Sequence, residues 1–145
     1  MEISTCRFGL LAIEAEDLIH FPAGILGLEA CQKWVLLADS QNEALGWLQS
    51  TQRPEIALGV ASPRRFVPDY QIRIARRELG PLNLENIEEA KVLVIVSRNE
   101  RAITLNLKAP LVFNLNERLA AQVVAKDDHP LQYELTTSSS LRRSA

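Results

Sequence analysis

Histidine and cysteine, the residues most often recruited for catalysis and metal binding, are scarce: the 145-residue chain has two of each. His20 and His129 stand far apart and in unrelated settings. Neither has a sequence neighbour suited to a nucleophilic triad or an acid–base pair, both of which need a titratable group held beside its complement. His20 sits in an apolar stretch and reads as a packed or hydrogen-bonded loop residue. His129, between "KDD" and Pro130, reads as part of a solvated turn. Asp127, Asp128 and His129 could ligate a metal only if distant groups completed the shell, and no second cluster offers itself. Cys6 and Cys31 are too few for a disulfide framework or a zinc site and are expected as reduced, small hydrophobes. Phosphate-cradling glycine loops, dinucleotide fingerprints and nucleophile elbows are all missing. The expectation is a protein that is not an enzyme and uses no cofactor or metal.

Long hydrophobic runs are missing too. No stretch approaches the ~20 apolar residues of a membrane helix. The opening "MEISTCRFG" lacks a basic segment followed by an apolar run, so a cytoplasmic protein without a secretory signal is expected. Aromatic residues make up only 6% of the chain, leaving few platforms for stacking nucleic-acid bases.

Charge is nearly balanced, at −2 net with a pI near 5.7, which argues against direct nucleic-acid binding by a basic stripe. Its distribution is uneven. Residues 1–62 hold 8 acidic and 3 basic side chains, and residues 63–145 hold 10 and 13. An acidic first half can steer a basic protein partner, unless folding mixes the two halves over one surface. The alternative is an RNA-binding β-barrel using Arg64, Arg65, Arg73, Arg76 and Arg77, with Phe66 and Tyr70 as the only nearby stacking candidates, although the stretch reads better as a solvated strand and turn face.

What is present is strand. "YQIRI" (70–74) and "AITLNLK" (102–108) alternate with the two-residue period of a half-buried strand. "WVLLA" (34–38), "IALGVA" (56–61) and "VLVIV" (92–96) are short apolar runs suited to central strands. "GWLQS" (46–50), "LVFNL" (111–115), "AQVVA" (121–125) and the segment around "EISTCRF" add four more. Helix is limited to one or two turns at "LEACQKW", at "ARRELGP", ended by Gly80 and Pro81, and at "NIEEAK", where Asn86 and Glu89 form a weak capping box. Eight or nine short strands without helical crossovers predict a mainly β, antiparallel, barrel-like single domain over residues 1–135. Residues 136–145, in "TTSSSLRRSA", read as a flexible tail.

The stretch "IHFPAGILGLE" (19–29) concentrates Pro22, Gly24 and Gly27 among bulky apolar residues. Pro22 restricts Phe21 to an extended shape, and the glycines suit backbone conformations closed to other residues. Phe21, Ile25, Leu26 and Leu28 are too many apolar groups for a free loop. The reading is a structural bend with one exposed shoulder, against the alternative of a direct partner contact.

This run resembles an Ile-x-Phe-Pro-x-Gly-Leu-x-Gly-Phe-Glu pattern of the flagellar assembly factor FliW family. The resemblance continues in order through Trp47-Leu48-Gln49-Ser50, Pro63, Asp69-Tyr70, the Asn106, Ala109, Pro110, Asn114 pattern, and Gln122. Departures are Leu28 for the usual Phe, Leu26 where Pro is common, Ala120 near a frequent Gly, and "EALGW" without a Pro-Phe. The resemblance implies a β-barrel-like, non-enzymatic protein that is monomeric when free. It also implies binding to flagellin and to CsrA, an RNA-binding translational regulator whose repression of flagellin messenger RNA is thereby relieved. Carried onto this sequence, it makes Phe21, Gly24, Gly27, Glu29, Gln49, Ser50, Asp69, Tyr70, Asn106 and Asn114 candidate partner-binding residues. Gln49, Ser50, Asp69, Asn106 and Asn114 also suit a purely structural role, satisfying strand ends.

Overall fold

The short apolar runs of the chain build a barrel. The structure, a computed structural model, describes residues 1–135; the expected tail at 136–145 lies outside the described residues. Strands β1 (Glu2–Thr5) and β2 (Gly9–Ala12) form a separate antiparallel hairpin. Strands β3 (Leu18–His20), β4 (Lys33–Ala38), β5 (Gly46–Ser50), β6 (Ala57–Ala61) and β7 (Lys91–Arg98) then pair successively antiparallel. Residues Lys91–Leu93 of β7 pair with β9 (Leu111–Asn114), which forms a hairpin with β10 (Leu119–Gln122). A parallel pairing of Leu119 with His20 joins β10 to β3 and closes a seven-stranded ring. The other half of β7 leaves the ring, carrying β8 (Ile103–Leu105) and then β11 (Tyr133–Glu134) as a flange.

The apolar runs are explained by burial on both faces. On β4, Trp34 and Leu36 point into the barrel with Ile19, Leu48, Val60, Leu93, Leu111 and Phe113. Val35 and Leu37 point outward and are covered by Ile3 and Ile13 beside the β1–β2 hairpin. On β9, Leu111 and Phe113 face in, while Val112 meets Leu79, Leu82 and Leu84 outside. A strand covered on both faces loses its alternation. Each fully buried large side chain contributes roughly 1.5–3 kcal/mol.

Residues 62–90 supply that outer cover. The single α-helix among the described residues, α1 (Arg76–Leu79), runs into a 3-10 turn at Gly80–Leu82. The α-helix ends at Gly80 as expected, but Gly80 is right-handed, so the chain goes on as the 3-10 turn and Asn83, at φ 58°, makes the left-handed turn three residues later. At Ile87–Glu89 the Glu89 carboxylate accepts the backbone N–H groups of Asn86 and Glu85 at 3.2 and 3.0 Å. "LEACQKW" forms a turn leading into β4 and no helix.

The largest correction concerns "YQIRI". Its burial alternates, with Tyr70 buried and Gln71 and Arg73 exposed, yet it pairs with no strand. The Asp127 carboxylate accepts the Arg73 N–H, the Arg73 carbonyl accepts the Lys126 N–H, and a His129 ring nitrogen lies 2.7 Å from the Gln71 carbonyl oxygen. Side chains and a neighbouring loop meet the needs of this backbone. Strands β2, β3 and β11, at two to four residues, went unread. The strand expected at "AQVVA" is β10, ending at Gln122.

Both cysteines are free, but only Cys31 is a buried hydrophobe; Cys6 is exposed. His20 is exposed at the end of β3 instead of packed. His129 stacks on Tyr70 at 4.7 Å between ring centroids, so it is no freely solvated turn residue.

Trp47 fastens the tip of the β1–β2 hairpin to β5. Phe8 meets it edge-on at 6.1 Å, and the Arg7 guanidinium lies 4.1 Å from its ring centroid. Its indole N–H donates to Asp39 at 2.9 Å. That bond, followed by the Gln41 backbone N–H, holds the Asp39 carboxyl below its ordinary value. A depressed folded-state value stabilises the fold above the unfolded value of about 3.9 and ceases to as pH falls through the folded one. Acid titration followed by Trp47 emission is expected to show a transition below that range, abolished in Asp39→Asn.

Candidate functional site

The run at 19–29 folds back into the mouth of the barrel. Phe21 donates its N–H to the Gln32 carbonyl at 2.7 Å, pinning both ends of the loop. Its ring enters the core, edge-to-face with Trp34 at 6.3 Å and Phe113 at 5.8 Å. Ile25 and Cys31 follow it inside. Gly24 has φ 72°, and a Cβ there would lie 2.5 Å from the Glu29 Cα. Gly27 has φ 86° but faces open space. The loop is therefore a plug, and its shoulder is Leu26, 83% exposed.

Polar side chains fix that shoulder. The Gln122 side-chain oxygen accepts the Leu26 N–H at 2.9 Å, and its amide donates to the Ala109 carbonyl at 3.2 Å. Asn106 in turn accepts the Ala109 N–H at 3.0 Å, shaping the 106–110 bulge that separates β8 from β9. Glu29 accepts the Gly27 N–H at 3.0 Å, the main cause holding its carboxyl below the ordinary value. On the other flank, Gln52 accepts the N–H groups of Gln32 and Lys33, and Gln32 donates to the Pro22 carbonyl. Ser50 Oγ accepts the N–H groups of Gln52 and Arg53.

The candidate residues thus divide by exposure. Gly27, Glu29 and Asp69 are exposed and Asn106 is half-buried. Phe21, Gly24, Gln49, Ser50, Tyr70 and Asn114 are buried, so their side chains are not presented at the surface. Gln49 donates to the carbonyls of Ser50 and Pro54 at 2.9 and 3.3 Å, while its own buried side-chain oxygen lacks a partner. Tyr70 donates its hydroxyl to the Leu107 carbonyl at 2.7 Å, tying Asp69-Tyr70 to the bulge; burial raises its pKa. Asn114 is apart from the rest, at the far end of β9, where it donates to Leu82 and accepts from Glu117.

The sequence did not reveal Gln122 as the clamp on the loop, because its partner lies 96 residues away. Its place in the family-like run was the available signal. Gln122→Ala is expected to cost only about 1 kcal/mol, since water replaces a bond made at the surface. It is also expected to speed amide hydrogen exchange at Leu26 and Gly27 selectively.

Two of the five arginines of the basic stretch are engaged within the protein. Arg64 donates to the Tyr70 carbonyl at 2.9 Å, and Arg73 forms an ion pair with Asp127 at 3.0 Å. Among the described residues no three His, Cys, Asp or Glu side chains converge as a metal shell. No helix among them is long and apolar enough to cross a membrane.

A closed seven-stranded barrel, plugged by a glycine-kinked loop and wrapped by short turns, defines a small β-barrel whose distinctive features are loops braced at one mouth. A family model described as FliW protein matches residues 2–135. A flagellar assembly factor FliW of Bdellovibrio bacteriovorus is 37% identical over 131 residues, 89% of this chain and 75% of that protein. Another from Caldanaerobacter subterraneus is 33% identical over 148 residues, 97% of this chain and 99% of its own. A crystal structure of the flagellar assembly factor FliW superposes with a TM-score of 0.86 at 26% identity, covering 94% of this chain and 98% of that one. This chain belongs to the FliW family of flagellar assembly factors.

Proposed function

We propose that this chain is a cytoplasmic partner-switch regulator that binds flagellin and CsrA, is monomeric when free, and does not bind nucleic acid directly. Holding CsrA relieves repression of flagellin messenger RNA; accumulating flagellin captures the regulator and releases CsrA. One observation carries the reading: the run on which the family likeness rests forms a rigid, outward-facing shoulder of Leu26, Gly27 and Glu29, braced by Gln122. A loop with its backbone already hydrogen-bonded loses little conformational freedom on binding. Gly27, Glu29, Asp69 and Asn106 are the proposed contact residues, with the buried candidates positioning them. The acidic first half supplies complementarity to a basic RNA-binding partner.

The switch is a linkage: if flagellin weakens CsrA binding, CsrA weakens flagellin binding by the same factor. A coupling of about 2–3 kcal/mol gives a response of tens-fold or more. Calorimetric titration with CsrA, repeated with flagellin already bound, measures it. Weakened binding in the second titration supports the switch. Unchanged binding removes the switch and leaves a dual binder, and no heat with either partner removes the whole reading.

A further inference from the structure

The β1–β2 hairpin stands outside the main architecture. It forms a sheet of its own, and the ring closes without it. Its cross-strand pairs run from Glu2–Ala12 to Thr5–Gly9. The Thr5 hydroxyl seals the turn, donating to the Gly9 carbonyl and accepting the Phe8 N–H, each at 2.8 Å. The hairpin is therefore complete within itself and rests on the barrel chiefly through side chains. Ile3 and Ile13 lie against Val35, Phe8 and Arg7 hold Trp47, and the Cys6 N–H donates to the Pro54 carbonyl at 2.9 Å.

Beneath this cover lies a polar atom that the closed arrangement leaves unsatisfied. Gln49 stands across from Val35 on β4 and Ala57 on β6, so it shares the outer face with Val35. It is wholly inaccessible, and its side-chain oxygen has no hydrogen-bond partner. Its amide nitrogen donates to Pro54, the same carbonyl that receives the Cys6 N–H, which places the glutamine at the joint between hairpin and barrel. A buried acceptor without a donor is costly, and lifting the cover gives that oxygen to water. We propose that the β1–β2 hairpin is a strap that lifts from β4 and β5 as one unit with the barrel intact, and that the unsatisfied Gln49 oxygen is its built-in bias toward release.

The hinge is short and sits at one end. Residues 14–17 are exposed, and the Asp17 carboxylate accepts the Glu14 N–H at 2.8 Å, folding the connection into a 3-10 turn. Beyond it the Arg118 guanidinium donates to the Asp17 and Leu18 carbonyls at 3.0 and 3.4 Å, which anchors the barrel side. Lifting changes what the protein shows. Val35 and Gln49, both buried in the closed state, come to the surface beside the half-buried Leu37 and Trp47. The strap thus gates a face of apolar groups around one free acceptor.

Amide hydrogen exchange on the intact protein tests this. A lone two-stranded hairpin is barely stable in water, so its amides exchange once it lifts. The Cys6 N–H and the bonded amides of β1 and β2 are expected to share one opening equilibrium, at least about a hundredfold more favourable than that of β5 and β6. Arg7→Ala, which removes the cation over Trp47, is expected to raise that opening roughly threefold across the whole hairpin and to leave β5 and β6 unchanged. Val35→Thr and Ala57→Ser each place a hydroxyl directly across from Gln49. A donor that reaches the oxygen removes the bias, so one of the two is expected to suppress hairpin opening about tenfold. Rates graded from Glu2 toward the turn mark fraying of a chain end and overturn the strap. Exchange of the hairpin only together with the barrel overturns it as well. If neither hydroxyl variant slows the hairpin, the role given to Gln49 is overturned.

Discussion

Phe21→Ala is expected to lower stability by about 3–5 kcal/mol, the range for deleting a buried aromatic side chain. Phe21 is wholly inaccessible and touches Trp34 and Phe113 edge-on, so its removal opens a cavity between the plug and both walls of the barrel. Urea denaturation should show a lower midpoint. The loss of binding that accompanies it should follow loop disorder, appearing as faster amide exchange across 22–29. Phe21→Leu, which refills most of the space, should regain most of the stability and the binding together. Full stability in Phe21→Ala with loss of flagellin or CsrA affinity would instead put the ring in the interface.

Gly24→Ala is expected to cost about 3 kcal/mol or more. The left-handed backbone alone accounts for about 1–2 kcal/mol. The remainder is steric: the new Cβ would lie 2.5 Å from the Glu29 Cα and 2.8 Å from its carbonyl oxygen, both backbone atoms. Backbone cannot rotate out of the way, so one side of the loop must shift. Gly27→Ala is the matched control, because it shares the positive φ and has open space around the added methyl. It should lose only the backbone share, about 1–2 kcal/mol. Thermal denaturation of the two variants separates strain from collision. Equal losses would show that the Gly24–Glu29 approach is looser than the structure gives.

Much of the barrel could be read in the sequence wherever burial and pairing coincide. β5 matches "GWLQS" residue for residue, and β4, β6, β7 and β9 fall on the apolar runs expected of central strands. The failures arise where burial and pairing separate. "YQIRI" alternates because one side rests on the barrel, yet its backbone partners are Asp127, His129 and Lys126, more than fifty residues away. Conversely β3 pairs on both sides through only three residues, too few to establish a period. In the candidate site the bend, its glycines and its apolar anchors were legible, since each follows from a local backbone or burial demand. Which candidates reach the surface was not. Gln49 and Leu26 contradict what polarity alone suggests, the amide being sealed in and the leucine projecting out. Only the three-dimensional course of the chain decides that.

The parallel joint between β3 and β10 has a consequence for biosynthesis. It consists of one register pair, Leu119 with His20, backed by the His20 N–H on the Arg118 carbonyl and the Arg118 guanidinium on the carbonyls of Asp17 and Leu18. These groups are separated by about a hundred residues of chain. At about 5–20 residues per second, a ribosome takes on the order of 5–20 seconds to deliver Arg118 after Leu18. Throughout that interval the early strands have no closing partner, and the inner faces of Ile19, Phe21 and Trp34 await the strands that will cover them. The nascent chain thus carries an unpaired β3 margin through about a hundred residues of synthesis, and the ring becomes a ring only when β10 has followed.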